Sequence, residues 1–255
     1  MIKSFTTALL SILFISGYTF AADSVKVETK NYSAAFSDEY RTDTAQYNLP
    51  VITGGGDAGM IAELNTYIVS DSILFDNIDT VIANYKMCGC GTVGADYDVM
   101  YNKNSVLSIS VYIATMGAYP DQYYKYVNLD LTTGKRLMIT DVIRQSKLKP
   151  LASKLDKRVQ QRIHDKIIES LKDNMQAEIN SEIQNLKQFF GEDKFTEESL
   201  ARFSFTNNGI VFYFDYGLPH VVNALSPDED ILVTWDELKD YVKENSVLDK
   251  IIINK

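Results

Sequence analysis

The strongest β-sheet signal in the chain runs from residue 107 to residue 139 and reads LSISVYIATMGAYPDQYYKYVNLDLTTGKRLMI. Its first part alternates between apolar and polar or aromatic residues. The apolar positions are Leu107, Ile109, Val111 and Ile113, and Ser108, Ser110 and Tyr112 lie between them. Because successive side chains of a strand point to opposite faces, this alternation predicts a strand with one buried face.

Two hairpins are predicted from turn residues. Residues 123–131 and 136–139 have strand composition, and Gly134 between them permits the positive φ of a tight turn. A second hairpin is predicted at Asn207-Asn208-Gly209, where Asn and Gly would supply two left-handed residues. Looser alternation over residues 24–49 indicates one or two further strands near the N-terminus.

Helical periodicity appears in three other places. Apolar residues three or four apart predict a helix over residues 58–70, with Asp57 as its cap, and a long amphipathic helix over residues 148–190. Thr234 and Glu237 have the spacing of a capping box that opens a third helix. The long helix either covers a sheet or offers a coiled-coil partner site, and its drift from a strict heptad favours the sheet.

The predicted fold class is therefore α+β. Antiparallel hairpins form a sheet covered by the long amphipathic helix, and a smaller α+β subdomain precedes it. We predict a signal peptide over residues 1–21, an N-terminal subdomain over 22–115 and a C-terminal domain over 116–255.

The first 21 residues have the three parts of a secretory signal. Lys3 is the positive end, residues 8–15 are the apolar core, and Thr19 and Ala21 are small residues suited to peptidase cleavage. The alternative is a membrane anchor, but the apolar run falls short of the roughly 20 residues that span a bilayer. We expect an exported protein, periplasmic or secreted, without membrane insertion after cleavage.

Net charge limits the class of partner. The chain carries a formal charge of −9, and removal of residues 1–21 takes away Lys3 and leaves −10. A negative field repels nucleic acid and anionic lipid and attracts cationic partners. The composition therefore argues against nucleic-acid binding.

Two stretches resemble a known family. GAYP at 117–120 leads into YVNLDLTTGKRL at 126–137, and GIVFYF at 209–214 leads to WDELK at 235–239. In this order they resemble the RsiV-like extracytoplasmic domain, which occurs in a lysozyme-binding anti-sigma factor and as the non-catalytic N-terminal domain of PdaC-type peptidoglycan deacetylases. The resemblance implies a binding module for lysozyme-like proteins or cell-wall glycan. Family members often have a histidine in the loop at 117–119, where this chain has Gly117-Ala118-Tyr119, so that residue's role is not carried over.

Aromatic residues mark the candidate ligand site. The predicted ligand-binding residues are Tyr119, Asp121, Tyr123, Tyr124 and Tyr126. Tyrosine rings stack on sugars or anchor a protein partner while their hydroxyls stay hydrated. Strand alternation places Tyr124 and Tyr126 on one face and Tyr123 on the other, so at least one ring is expected to face solvent or ligand.

Cys88-Gly89-Cys90 is the most distinctive short motif. Export places it where disulfides persist, and a local bond requires a turn at Gly89. Metal binding and intermolecular pairing are the alternatives, although zinc needs about four ligands and no histidine lies near in the sequence. We predict a Cys88–Cys90 disulfide, no metal and no cofactor.

Catalysis is the rival hypothesis. The chain has two histidines, His164 on the long helix and His220 in a predicted loop, and no serine has a nucleophile-elbow motif around it. Asp96 and Asp98 could act as paired acids, or they are exposed strand residues. We expect a non-catalytic envelope binding module whose partner is a cationic envelope protein or cell-wall glycan. The alternatives are an envelope hydrolase using His220 or acidic residues, and a structural secreted factor.

Overall fold

The computed structural model describes residues 23–172, 194–218 and 226–253. Its strands are β1 (Lys26–Ser37), β2 (Thr42–Gly54), β3 (Gly91–Lys103), β4 (Val106–Met116), β5 (Pro120–Asp130), β6 (Lys135–Arg136), β7 (Phe203–Phe205), β8 (Gly209–Tyr213) and β9 (Asp230–Thr234). Its helices are α1 (Ala58–Thr66), α2 (Ser70–Leu74), α3 (Ile78–Cys88), α4 (Ile139–Val142), α5 (Gln145–Lys172), α6 (Trp235–Leu238) and α7 (Val247–Ile253), with a 3₁₀ turn at Glu198–Ala201. The α+β class is confirmed.

The larger sheet has six strands in the order β1-β2-β3-β4-β5-β6. Four of its five pairings are antiparallel, as the hairpin signals predict, but β2 and β3 are parallel through Gln46↔Gly94 and Tyr47↔Ala95. Helices α1, α2 and α3 form the connection between these two strands. A parallel pair needs such a crossover, because its strands run in the same direction.

Two hydrophobic cores lie against the larger sheet. One packs α1–α3 against the apolar face of β4, including Leu107, Ile109, Val111 and Ile113. The other joins α5, the three-stranded β7-β8-β9 sheet and the C-terminal helices to Tyr101 and Val106 of the larger sheet. The long helix thus packs in the core of the smaller sheet. The division at residue 115 stays a prediction.

The prediction that β4 has one buried face is wrong for its first half. Ser108 and Ser110, on the face opposite Ile109, are buried. The Phe205 N–H donates to Ser108 Oγ (3.1 Å), and Ser108 in turn donates to Asn128 Oδ1 (2.6 Å). The smaller sheet therefore covers this face, and hydrogen bonds between the sheets satisfy the Ser108 and Asn128 side chains.

The β7–β8 turn has a different geometry from the one predicted. The β7–β8 hairpin is confirmed, but neither Asn207 nor Asn208 has a positive φ. Gly209 is required for another reason, because a Cβ there would lie 2.0 Å from the Val233 carbonyl oxygen. The left-handed pair instead joins β3 to β4, at Asn104 (φ 51°) and Ser105 (φ 60°), which matches the twist of a two-residue hairpin.

Both predicted helix caps are confirmed. The Asp57 carboxylate accepts from the Met60 N–H (3.0 Å), and Thr234 with Glu237 forms a capping box. The predicted helix over 58–70 ends earlier, at Thr66, and α2 follows as a separate helix. The signal peptide, His220 and the part of the long helix beyond residue 172 lie outside the described residues. No helix in the described part of the chain is both long and apolar enough to cross a membrane.

Candidate binding surface

A row of neighbouring tyrosine rings crosses one face of the larger sheet and continues onto the smaller one. We call this row the tyrosine face, and its members are Tyr112, Tyr124, Tyr126 and Tyr213. Tyr112 and Tyr124 are cross-strand partners with ring centroids 5.5 Å apart. The Tyr124 and Tyr126 rings are 6.4 Å apart, and Tyr126 stacks on Tyr213 at 3.8 Å with nearly parallel planes.

Burial changes along this row. Tyr126 is 9 % exposed, because β8 brings Tyr213 onto its ring, whereas Tyr124 is 41 % exposed. Burial is the main cause that raises the pKa of the Tyr126 hydroxyl, and the neighbouring Tyr213 adds to it. Tyr126 therefore serves as a rigid support, and Tyr124 offers its ring to solvent.

Carboxylates lie on both sides of the tyrosine face. Asp96 is the cross-strand partner of Tyr112, and Asp98 is the partner of Ser110, so both lie on the same face as the rings. On the smaller sheet, Asp230 pairs with Tyr213. We call Asp96, Asp98, Glu229 and Asp230 the carboxylate rim.

The charges of the carboxylate rim affect the pKa of a tyrosine hydroxyl on the tyrosine face. Burial is the main cause that raises the pKa of the Tyr124 hydroxyl, and the neighbouring Tyr112 hydroxyl and then the Glu229 and Asp98 carboxylates add to it. A phenol beside carboxylates resists ionisation, because a second negative charge there would be repelled. The combination favours ligands that carry positive charge.

The five predicted ligand residues do not form one patch. Tyr124 and Tyr126 lie on the tyrosine face, as strand alternation predicts. Tyr123 lies on the opposite face, with its ring 6.3 Å from that of Phe75. Tyr119, which is 72 % exposed, is at the tip of the β4–β5 hairpin, and exposed Asp121 follows it at the start of β5.

Sequence reasoning missed Tyr213 and the rim of Glu229 and Asp230. Tyr213 follows the buried Phe212 at the end of β8, so its strand position could be predicted. Its contact with Tyr126 could not, because it depends on how the two sheets pack together. Asp96 and Asp98 were weighed as paired catalytic acids, and the structure places both, exposed, beside the tyrosine face.

The cysteines form a disulfide at the junction of α3 and β3. Cys88 and Cys90 are bonded with their Cα atoms 5.2 Å apart, and Gly89 between them has a φ of 60°. This left-handed residue ends α3 and makes the turn that the short loop requires. Arg41 Nη2 donates to the Gly89 carbonyl (2.9 Å) and holds the loop against the β1–β2 hairpin.

The other candidate sites have fewer groups that could bind a ligand or catalyse a reaction. A cavity of about 400 Å³ between the β1–β2 hairpin and α1–α3 is mainly apolar. Its Asn65 amide is already paired with the Ile52 N–H and carbonyl, both at 2.9 Å. His164 is exposed on α5. Within the described ranges, no group of three or more His, Cys, Asp or Glu side chains could hold a metal.

The geometry can be compared with known proteins. No family model and no curated protein matches the sequence. A solved DUF3298 family protein from Bacteroides fragilis aligns over 92 % of this chain and 100 % of its own, with a TM-score of 0.60 and 12 % identity. One from Pseudomonas aeruginosa aligns over 89 % of this chain and 98 % of its own, with a TM-score of 0.59 and 11 % identity. The chain shares their fold.

At this identity the likeness establishes the fold alone. The alignments cover nearly all of both solved chains. Sequences of very low identity to this one therefore also adopt the arrangement of two sheets and their helices. The function must be argued from the surface of this chain.

Proposed function

We propose that this chain is an exported, non-catalytic cell-envelope module that binds a basic protein through the tyrosine face. The observation that carries the proposal is a continuous row of tyrosine rings, three of them stacked, that lies between carboxylates on two sheets. The rings supply contact area and the carboxylates supply charge.

Basic side chains suit this combination physically. A Lys or Arg cation over a tyrosine ring gains about 0.5–1 kcal/mol at an exposed site. A carboxylate beside the ring can pair with the same cation. Tyrosines on a rigid support also dominate binding energy at protein interfaces, and the Tyr213 ring stacked on Tyr126 provides that support.

The family resemblance suggests a specific probe. RsiV-like domains include a lysozyme-binding member, and the resembling stretch at 126–137 begins at Tyr126 on the tyrosine face. Lysozyme is strongly basic, so the −10 charge of the mature chain would accelerate its encounter.

The test is titration of the protein with lysozyme by calorimetry and surface plasmon resonance. Tyr124→Ala should weaken binding by about 30-fold, equivalent to roughly 2 kcal/mol. Tyr40→Ala is the matched control, because Tyr40 is 87 % exposed in the turn between β1 and β2. Equal effects of the two substitutions would place the site elsewhere.

A second pair of variants tests the carboxylate rim. Asp96→Asn with Asp98→Asn should slow association and flatten its dependence on salt, because rim charges act mainly on the on-rate. Asp79→Asn with Asp240→Asn makes the same change in net charge at other exposed positions. The proposal requires the first pair to slow association more than the second.

Cell-wall glycan is the competing ligand. Tyrosine rings also stack on sugars, so soluble peptidoglycan fragments are titrated in parallel. Binding of the fragments and not of lysozyme would replace the basic protein by glycan as the ligand. If neither binds the wild-type protein at low salt, the proposed function is overturned.

A further inference from the structure

The outer edge of β5 is open along most of its length. β4 pairs with the whole of β5, but β6 pairs with it only at Leu129 and Asp130. No other strand among the described residues pairs with 120–128 on that side. An exposed edge carries unpaired N–H and C=O groups that can pair with another chain.

The main-chain groups at this edge can be assigned to particular residues. The Asn128 carbonyl accepts from the Leu137 N–H (2.7 Å), so Asn128 directs its main-chain groups away from β4. In an antiparallel pair, residues alternate between bonding to the partner strand and pointing away from it. Tyr126, Tyr124 and Gln122 therefore point their N–H and C=O groups toward the open side. The Tyr126 carbonyl already accepts a long hydrogen bond from Arg136 Nη2 (3.5 Å) and keeps its second lone pair.

A groove of about 270 Å³ runs along this edge. Four consecutive residues of β5, 124–127, form its floor, and it is walled by Tyr67 and Ser72 on one side and by Ala201 and Arg202 on the other. Consecutive strand residues belong to opposite faces, so a groove that contacts all four must follow the edge itself.

Positive charge is concentrated in the groove of a protein whose net charge is negative. Lys125, Arg136 and Arg202 all line it. Arg202 has a long ion pair with Asp215 (3.6 Å). Neither Lys125 nor Arg136 forms an ion pair with any carboxylate in the described ranges.

Lys125 does not block the edge, as edge lysines often do. Its Nζ donates to the Ser72 carbonyl (2.8 Å) and lies 3.1 Å from the centroid of the Phe75 ring. These contacts hold the ammonium on the α2 side of the strand. Burial, with Arg136 nearby, lowers the pKa of Lys125 to about 8, so a negative group between the two cations would be favourable.

We propose that the open edge of β5 is a docking site for an extended acidic segment of a partner protein. The segment adds a strand beside β5 by main-chain hydrogen bonds to Gln122, Tyr124 and Tyr126. A carboxylate of the segment lies between Lys125 and Arg136. This site shares Tyr124 and Tyr126 with the tyrosine face, but it uses their main-chain groups rather than their rings, and it prefers negative charge.

The experiment titrates the full-length mature protein with blocked synthetic pentapeptides, followed by fluorescence anisotropy. The parent probe is Thr-Val-Glu-Val-Thr. Replacing its Glu by Gln should weaken binding about fivefold, and replacing it by Lys should weaken binding further. N-methylation of the Glu amide in one probe, and of the two Val amides in another, separates the two possible strand registers, and one of them should lose about tenfold.

Protein variants locate the site. Arg136→Gln should weaken binding of the parent probe about fivefold, because it removes one of the two groove cations that form no ion pair with a carboxylate of the described chain. Lys135→Gln is the matched control, since exposed Lys135 precedes Arg136 on β6 and does not line the groove. Arg136→Gln should not weaken lysozyme binding, because it removes a positive charge, so failure of this proposal and failure of the tyrosine-face proposal are distinguishable.

Three results would overturn the docking site. They are equal binding of the Glu and Gln probes, full binding of both N-methylated probes, and equal effects of the two protein variants. Absence of binding by the parent probe at millimolar concentration also counts against it, since an open edge with correct charge should pair at that concentration.

Discussion

The two halves of the β4–β5 hairpin differ in what covers the same face. In the half nearer β6, Ser108 and Asn128 are buried under the smaller sheet. In the half nearer the tip, Tyr112 and Tyr124 continue the same rows, and Tyr124 remains open to solvent. The strand pattern is alike in both halves, so the difference arises from where β7 and β8 pack.

This comparison separates two kinds of polar position. A polar group under the smaller sheet must find a protein partner, because burial without a hydrogen bond is costly. A polar or aromatic group that the smaller sheet does not cover is available for a ligand. Substitutions should therefore affect folding in the covered half and binding in the open half.

Asn128→Ala should have the largest effect on stability. Asn128 is 2 % exposed, donates to the Phe203 carbonyl (2.8 Å) and accepts from Ser108 (2.6 Å). Its loss removes the acceptor of the buried Ser108 hydroxyl and a donor to the buried Phe203 carbonyl, so we expect about 3 kcal/mol of destabilisation in urea unfolding. Gln122→Ala, on the same face in the open half, should cost less than about 0.5 kcal/mol. Similar losses for both variants would contradict the comparison.

The double variant Cys88→Ser, Cys90→Ser should have an intermediate effect. The disulfide closes a loop of three residues at the α3–β3 junction, away from both halves of the hairpin. Chain entropy for so short a loop gives about 1.6 kcal/mol. Thermal unfolding with and without reductant measures it. A collapse of the fold would show that the loop organises β3, which carries Asp96 and Asp98.

Glu237→Gln tests the contact between α5 and the smaller sheet, which covers the buried half of the hairpin. Burial alone would raise the pKa of Glu237, but hydrogen bonds and charges from Lys154, Thr234 and Arg158 outweigh it and lower the pKa to about 2. After allowance for solvent screening, we expect a loss of about 1 kcal/mol at pH 7.

The pH dependence gives the sign of this effect. The folded-state pKa lies below the ordinary value of 4.5, so the stabilisation is present above pH 4.5 and disappears as the pH falls toward 2. The difference between wild type and Glu237→Gln should therefore shrink between pH 5 and pH 2 in urea titrations, as follows from the two pKa values. Glu244→Gln, which makes the same substitution at an exposed position, is measured in parallel as the control.

Tyr124→Ala should have the smallest effect on folding. Its ring is 41 % exposed and lies beyond the cover of the smaller sheet, so we expect a loss of about 0.5 kcal/mol in unfolding experiments. Because the same substitution should strongly weaken binding, the two measurements distinguish a ligand surface from a folding surface. A loss of stability as large as that of Asn128→Ala would make Tyr124 a core residue.

Local signals were sufficient for most elements of the fold. Alternation over 107–113 predicted β4, and its apolar face packs against α1–α3. Asp57 and the Thr234–Glu237 pair predicted helix starts that the structure confirms. Each of these signals depends on residues within a few positions of one another, where backbone geometry relates sequence spacing directly to side-chain direction.

Structural features that depend on contacts between distant parts of the chain could not be predicted from the sequence. The parallel pairing of β2 with β3 joins residues on either side of three helices, and nothing in either strand specifies it. Asn207 and Asn208 have a hairpin composition, but their turn is shaped by the close approach of Gly209 to β9. In both cases packing overrides the local preference.

For the candidate surface as well, the sequence predicted one part and the tertiary packing decided the other. Alternation along β5 alone put Tyr124 and Tyr126 on one face and Tyr123 on the other, because neighbouring strand residues must point apart. The exposure of each ring was settled by the smaller sheet, which stacks Tyr213 on Tyr126 from 87 positions further along the chain and stops short of Tyr124. Covering one ring and leaving its neighbour open requires contacts between distant segments, and these form only when the two sheets pack together.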